Sequence, residues 1–384
     1  MLSVEDQKLF RQSVSEFAAR HVTPIADALD SSDLFPHQLH KEMAEAGLVQ
    51  LAVPEEYDGP GADMTSVCIA REEVAAAGSM AMATLAGQNN NIVMPMLAVG
   101  TDDQKARFLP EFARGAVSCL CFTEAEGGSD PTKIATNAVR DGDDWVINGS
   151  KVYITWGKVA RFAVIIARTG DTPGGRGLSA FIADTSAPGF IEERHNAKMG
   201  QRGLPNVDLR FDNLRVPHTN VLGGEGNGLS ASLRGLHINR PAMAAIAVGG
   251  ARSALDFATR FVLDRQQRGR TLARHQGLRW MIADMATQLE AARQMVYAAA
   301  ALIDQGAPQD DIVRMSSMAK YFATEAAVDI TSKAVQLVGG AGYMSEYPVE
   351  RYLRDARVTT IYEGTSEVQK NTIARGILGK DTEV

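Results

Sequence analysis

The hydrophobic pattern of this chain changes period twice, which restricts the fold to helices, then strands, then helices again. Phe10, Val14 and Phe17 recur at helical spacing, with Pro24 shortly after. A second helix is expected from about Pro36, burying Leu39 and Met43 and stopping at Gly47. Thr101 and Gln104 have capping-box spacing ahead of Phe108 and Leu109, and Gly115 closes that segment. From Ala116 short β-prone runs alternate with turn signals. Residues 145–147 and 151–155 flank Asn148-Gly149, a hairpin signal because both residues tolerate positive φ, and runs at 162–167, 178–183 and 208–211 continue the series. After the glycine-rich stretch 223–228, Ile282, Met285, Leu289, Ala292 and Val296 follow alternating steps of three and four, the seam of a helix packed lengthwise on others. Met315, Met318 and Phe322 repeat that rhythm. The expected units are a helical block over residues 1–115, a β domain over 116–222 and a helical bundle over 223–384.

With 384 residues there is enough chain for two or three packed units. The formal charge of −7 repels phosphate backbones, so nucleic acid is not an expected partner. Three cysteines are too few for a disulfide framework. Cys119 and Cys121 should share one face of a strand in a structural role, and no metal site is expected. No apolar run is long enough to span a bilayer. The N-terminus lacks the basic start and apolar core of a signal peptide, and the expectation is a cytoplasmic protein, a mature mitochondrial matrix form being the alternative.

Several motifs admit both a structural and a chemical reading. Gly224, Gly226 and Gly228 superficially suggest a dinucleotide loop, but that fingerprint needs a βαβ unit and only helices follow here. Gly339-Gly340-Ala341-Gly342 reads as a helix C-cap. Residues 362–367 read as a turn into a helix, with Ser366 as N-cap and Gln369 completing a capping box, or as a turn that presents Glu363 as a general base. The arginines of residues 265–270, followed by Gln276, form either a solvated helix end or a pyrophosphate clamp. Phe122-Thr123-Glu124 with Gly127-Gly128-Ser129-Asp130 is a strand exit or a loop suited to a polar heterocycle.

Taken in order, these segments resemble the acyl-CoA dehydrogenase family. The resemblance runs through essentially the whole chain. It rests on Thr123-Glu124 with Gly128-Ser129-Asp130, Asn148-Gly149-Ser150-Lys151 with Ile154-Thr155, and Lys198-Met199-Gly200 with Arg202-Gly203. Phe211-Asp212 with Arg215-Val216-Pro217, Gln336 with Gly339-Gly340, residues 347–351 with 354–356, and residues 362–367 complete it. The resemblance implies an N-terminal helical domain, a β-barrel-like middle domain and a C-terminal four-helix bundle, assembled as a homotetramer. It implies FAD, contacted by Phe122, Thr123, Gly128 and Ser129 from one loop, by Tyr153 and Thr155 from a second, and by Thr365 and Glu367. Arg265, Gln267 and Gln276 would meet the pyrophosphate and adenosine end across a dimer interface, with Gln336 and Gly340 from the partner.

By the same resemblance Glu363 is the catalytic base, and Ser129, Asn239, Arg240, Tyr362 and Gly364 face the acyl-CoA substrate. Some branches place the base just before an arginine matching Arg240; Asn239 stands there and cannot serve. The implied reaction removes the α-proton through Glu363 and passes the β-hydrogen as hydride to flavin. The thioester carbonyl would be held by the Glu363 backbone N–H and a ribityl hydroxyl, and an electron-transferring flavoprotein would reoxidise the cofactor. Exclusion of water should raise the pKa of Glu363. Arg268, Trp156, Ala125, Tyr153 and His237 depart from the common pattern. Acyl specificity is expected to involve Val93, Met94 and Met96, while Asn89-Asn90-Asn91 either favour a polar acyl group or cap a helix. An oxidase or desaturase acting on a carrier-protein-bound acyl group, and a non-catalytic acyl-CoA-binding protein, are the competing readings.

Overall fold

The computed structural model describes residues 3–170 and 172–379, so the outer ends of the first and third expected blocks lie outside the described residues. Seven helices come first: α1 (Val4–His21), α2 (Ala26–Ser32), α3 (His37–Glu45), α4 (Met64–Ala76), α5 (Met80–Ala83), α6 (Asn90–Val99) and α7 (Asp102–Ala113). Helix α1 starts where the Ser3 side chain accepts from the Asp6 N–H, with Glu5 and Asp6 at its positive end and Arg20 and His21 at its negative end. Helix α7 carries the full Thr101–Gln104 capping box. Helix α4 is buried on all sides from Met64 to Ala75, although its sequence includes Arg71, Glu72 and Glu73.

Eight strands follow: β1 (Ser118–Cys121), β2 (Asn137–Asp141), β3 (Asp144–Thr155), β4 (Phe162–Arg168), β5 (Leu178–Asp184), β6 (Phe190–His195), β7 (Asn206–Pro217) and β8 (Val221–Leu222). They form one sheet in the order β6-β7-β3-β2-β4-β5-β8, with β1 parallel to β4. Strands β4 and β5 are covered on both faces, which explains their unbroken apolar runs. Asn148-Gly149 is not a hairpin turn. Strand β3 runs straight through it with a register shift against β7, because Gly149 packs on Thr136, where a Cβ would lie 2.6 Å from the Thr136 hydroxyl. The hairpin turn lies at 142–143, where β2 gives way to β3.

The last block is α8 (Gly228–Asp264), the short pair β9 (Gln266–Gln267) and β10 (Arg270–Thr271), then α9 (Gln276–Asp304), α10 (Gln309–Val338), α11 (Val349–Arg357) and α12 (Ser366–Leu378). Met285, Leu289, Ala292 and Val296 are buried along α9, as their spacing requires, while Ile282 at the head of the series is half-buried. On α10 the buried stripe is Ile312, Ser316, Ala319, Ala323, Ala327 and Ile330, whereas Met315, Met318 and Phe322 sit beside it and are half-buried. Helices also come very close elsewhere: a Cβ on Gly249 of α8 would stand 2.2 Å from the Glu72 carbonyl oxygen of α4.

A buried ion network ties α4 to the bundle. Glu72 accepts from Arg293 at 2.8 Å, Arg252 at 3.2 Å and the Tyr297 hydroxyl at 2.7 Å, while Glu73 pairs with Arg252 at 2.6 Å and with Arg11. Among the described residues no helix is long and apolar enough to cross a membrane, and no group of His, Cys, Asp and Glu could hold a metal ion.

The contact at Gly249 yields a test. Gly249→Ala should destabilise the protein by roughly 1–3 kcal/mol, because backbone blocks the new methyl and the helix-propensity gain of about 1 kcal/mol does not offset it. Gly277→Ala, with nothing within 4 Å of its new Cβ, should be neutral or stabilising. Unfolding midpoints of the two variants measured together check this, and equal midpoints would rule out the close α4–α8 approach.

Candidate active site

The turn before α12 places Glu363 and Gly364 in succession in the left-handed region, at φ 55° and 88°. For Glu363 this conformation costs about 1 kcal/mol or more, so neighbouring groups must hold it. The Gln369 side-chain amide donates to the Glu363 carbonyl at 3.2 Å and to the Gly364 carbonyl at 2.9 Å. Lys320 Nζ donates to the same Gly364 carbonyl at 2.8 Å. The cap differs from the sequence reading: Thr365, not Ser366, is the N-cap and accepts from the Val368 N–H. Gln369 does not close a capping box, because its amide is committed to the turn.

Glu363 is half-buried as a residue, but its Oε2 is sealed from solvent and has no hydrogen-bond partner. Oε1 accepts from Asn91 Nδ2 of α6 at 3.2 Å. Burial pushes the Glu363 pKa up; the Asn91 hydrogen bond and the charges of Arg71, Arg240 and Lys320 pull the other way without cancelling it. None of these three cations forms an ion pair with a carboxylate among the described residues. Arg240 donates to Ser317 Oγ at 2.8 Å, and its Nε has no partner. Its pKa is pushed down to about 10, chiefly by burial, and that of Lys320 to about 8 for the same reason. Arg71 Nε donates to the Ala86 carbonyl at 2.7 Å and its Nη2 to the Gly87 carbonyl at 3.0 Å, and its Nη1 reaches Asn239 Oδ1 at 3.3 Å. The fold thus gathers Tyr362, Glu363, Gly364, Asn239 and Arg240 from α8 and the last turn.

A second constellation forms at the exit of β1. The Val152 N–H donates to the Thr123 carbonyl at 2.9 Å, which sets Phe122 and Thr123 beside Tyr153. Lys151, wholly buried, donates to the Phe122 carbonyl at 3.1 Å and pairs with Glu124 at 2.7 Å. Glu124 in turn accepts from the N–H groups of Ala135 and Thr136. That pins the loop carrying Gly128 and Ser129, both of which are exposed. Tyr153 has a φ of 60° and is 64% exposed, its backbone clamped by Asp208 and Asn206. Thr155 contacts Asn206, and Trp156 is buried, its ring edge-on to Phe35. Arg265, Gln267, Gln276, Gln336, Gly340 and Glu367 are exposed on the single chain, and Thr365 is half-buried.

Sequence reading missed Arg71, Lys320 and Ser317, and gave Gln369 a capping role instead of the turn contacts it makes. Arg71 is followed directly by Glu72 and Glu73, so its charge alone gave no signal. Lys320 and Ser317 act through the turn or through Arg240 and likewise have none.

Family models for the N-terminal, middle and C-terminal domains of acyl-CoA dehydrogenase match residues 4–116, 119–214 and 226–378. The chain therefore belongs to the acyl-CoA dehydrogenase family, whose members are oxidoreductases acting on CH–CH bonds. An acyl-CoA dehydrogenase of Bacillus subtilis (strain 168) is 39% identical over 376 residues, spanning 98% of each chain. The butyryl-CoA dehydrogenase of Megasphaera elsdenii superposes with a TM-score of 0.94 at 33% identity, covering 98% of this chain and 99% of that one. A prolyl acyl carrier protein oxidase superposes with a TM-score of 0.91 at 29% identity, covering 99% and 100%.

The hydrogen bond at Glu363 can be tested alone. In Asn91→Leu the carboxylate loses a donor that favours its charged form, so its pKa should move further up. Isotope-edited infrared titration of the glutamate carboxyl measures this, and an unmoved midpoint would show that Asn91 does not bond Glu363 in solution.

Proposed function

We propose that the protein is an FAD-dependent acyl-CoA dehydrogenase that converts an acyl thioester to its trans-2-enoyl form, with Glu363 as the base. The observation that carries this reading is the sealed, unpartnered Oε2 of Glu363 on a turn whose strain is held by Gln369 and Lys320. A carboxylate with a raised pKa and one free oxygen suits removal of the weakly acidic α-proton. The Glu363 N–H, which has no partner among the described residues, would hold the thioester carbonyl as negative charge develops. Arg240 and Lys320 would steady that charge without neutralising the base.

The exposed Tyr153 ring beside the pinned 122–130 loop fits a flavin. Phe122, Thr123, Gly128, Ser129, Tyr153 and Thr155 would hold its ring system, with Thr365 and Glu367 beside it. Arg265, Gln267 and Gln276 would take the pyrophosphate and adenosine end across a dimer interface, with Gln336 and Gly340 from that same partner subunit. When bound, FAD supplies the acceptor for the β-hydrogen and its electron pair. Large exposed apolar side chains at Trp280, Tyr343, Met344 and Ile377 support assembly as a homotetramer. An electron-transferring flavoprotein is the proposed electron acceptor. The likeness to a prolyl acyl carrier protein oxidase supports a second reading, in which the acyl group arrives on a carrier protein and oxygen takes the electrons.

Anaerobic titration of the flavin with acyl-CoA thioesters tests the function. Wild type should bleach promptly, and Glu363→Gln should lose at least about 10³-fold in reduction rate while keeping its flavin. The wild-type rate should fall as pH drops through the raised pKa of Glu363, since the protonated carboxyl cannot accept. Bleaching that survives in Glu363→Gln would refute the base assignment, and a flavin bleached only by carrier-protein thioesters would establish the second reading.

A further inference from the structure

The proposed proton transfer uses no direct contact with Arg71, yet this residue is a guanidinium only 2% exposed. All its hydrogen-bond acceptors are neutral: the carbonyls of Ala86 and Gly87, Asn239 Oδ1, and Met243 Sδ at 2.9 Å from Nη1. A thioether is a weak acceptor for one arm of a fork that matches a carboxylate. Among the described residues no carboxylate comes within ion-pair distance of it, whereas the nearby arginines Arg252 and Arg293 both have carboxylate partners.

A second observation lies against the first. Asn90 of α6 is 1% exposed, and neither its Nδ2 nor its Oδ1 has a partner. Its amide adjoins Gly87: a Cβ on that glycine would meet Asn90 Oδ1 at 3.3 Å and Nδ2 at 3.4 Å. Gly87 is also the residue whose carbonyl accepts from Arg71. An unsatisfied amide and an uncompensated guanidinium therefore both lie against Gly87. Each is costly to bury unless something else completes it.

We infer that Arg71 and Asn90 form the distal end of the acyl pocket and bind a carboxylate carried at the far end of the acyl chain. This rests on the acyl-CoA dehydrogenase reading and narrows its substrate class to ω-carboxyacyl thioesters. Asn91, next to Asn90, donates to Glu363 Oε1 at 3.2 Å, and Arg71 reaches Asn239, next to Arg240, at 3.3 Å, so a short acyl chain would join the two. The substrate carboxylate would displace the thioether contact, take the guanidinium fork and accept from Asn90 Nδ2. Three buried cations, Arg71, Arg240 and Lys320, would then face two carboxylates instead of one. A methyl-terminated acyl group offers nothing to either Arg71 or Asn90 and leaves both unpaired.

The test compares succinyl-, glutaryl- and adipyl-CoA with butyryl-, valeryl- and hexanoyl-CoA as reductants of the flavin in the whole holoenzyme. Wild type should favour one ω-carboxyacyl-CoA over its methyl-terminated counterpart by about 100-fold in kcat/KM. Arg71→Met should abolish or invert that ratio, and Arg71→Lys, which keeps the charge but not the fork, should retain only part of it. Flavin content and thermal midpoint report whether each variant folds; if Arg71→Met does not, the wild-type ratio and Arg71→Lys decide. A wild-type preference for the methyl-terminated series would overturn the inference, as would an ω-carboxy preference that Arg71→Met leaves intact. Absence of bleaching by any of the six would strike the parent reading instead.

Discussion

A carboxylate sealed from water beside three cations that do not touch it is the constraint around which this structure is arranged. Burial alone favours the protonated acid, and a direct ion pair would drive the pKa the other way and occupy the oxygen needed for chemistry. The fold avoids both extremes by giving each cation a neutral acceptor. Arg71 is spent largely on carbonyls, Arg240 on Ser317 and Lys320 on the Gly364 carbonyl. Their fields reach Glu363 and their hydrogens do not, so the pKa remains raised. Such charges act over several ångströms with an effective dielectric nearer 20 than 80, roughly a kcal/mol or more apiece.

Holding those cations at a fixed remove depends on helix packing. Helix α4 turns about 100° per residue, so Arg71 and Glu72 diverge: the first faces Asn239 and the α5–α6 turn, the second faces Arg252, Arg293 and Tyr297. One helix therefore serves the site on one side and clamps the bundle on the other. Helix α8 brings Asn239 and Arg240 to the same site, then approaches α4 closely at Gly249, and Ser253 donates to the Ala76 carbonyl. A shift of α4 against α8 would move Arg71 and Asn239 together, which couples core packing to the electrostatics of the site.

What was legible in the sequence follows the reach of each signal. Capping at Thr101 and the buried α9 seam depend on neighbours within a turn or two, and the structure has both. Asn148-Gly149 misled because a glycine that permits a hairpin equally permits a bulge, and the contact with Thr136 that selects the bulge lies elsewhere in the chain. Gln369 had the right spacing for a capping box, but carbonyls exposed by the two left-handed residues compete for its amide and win. Glu363 stood out through family resemblance. The cations around it come from α4, α8 and α10, and no local pattern joins those segments.

The residue at 239 shows how the parts constrain one another. A carboxylate there would receive Arg71 Nη1 in place of the Asn239 amide oxygen, forming a buried ion pair. That pair would favour its charged form, and Arg71 would no longer be an uncompensated charge. Asparagine keeps the hydrogen bond but adds no charge. The choice therefore has two consequences at once: position 239 offers no carboxylate to compete with Glu363 as the proposed base, and the positive charge of Arg71 is left without a carboxylate partner. The same neutral amide that disqualifies position 239 as a base is what leaves Arg71 free to select for an anion.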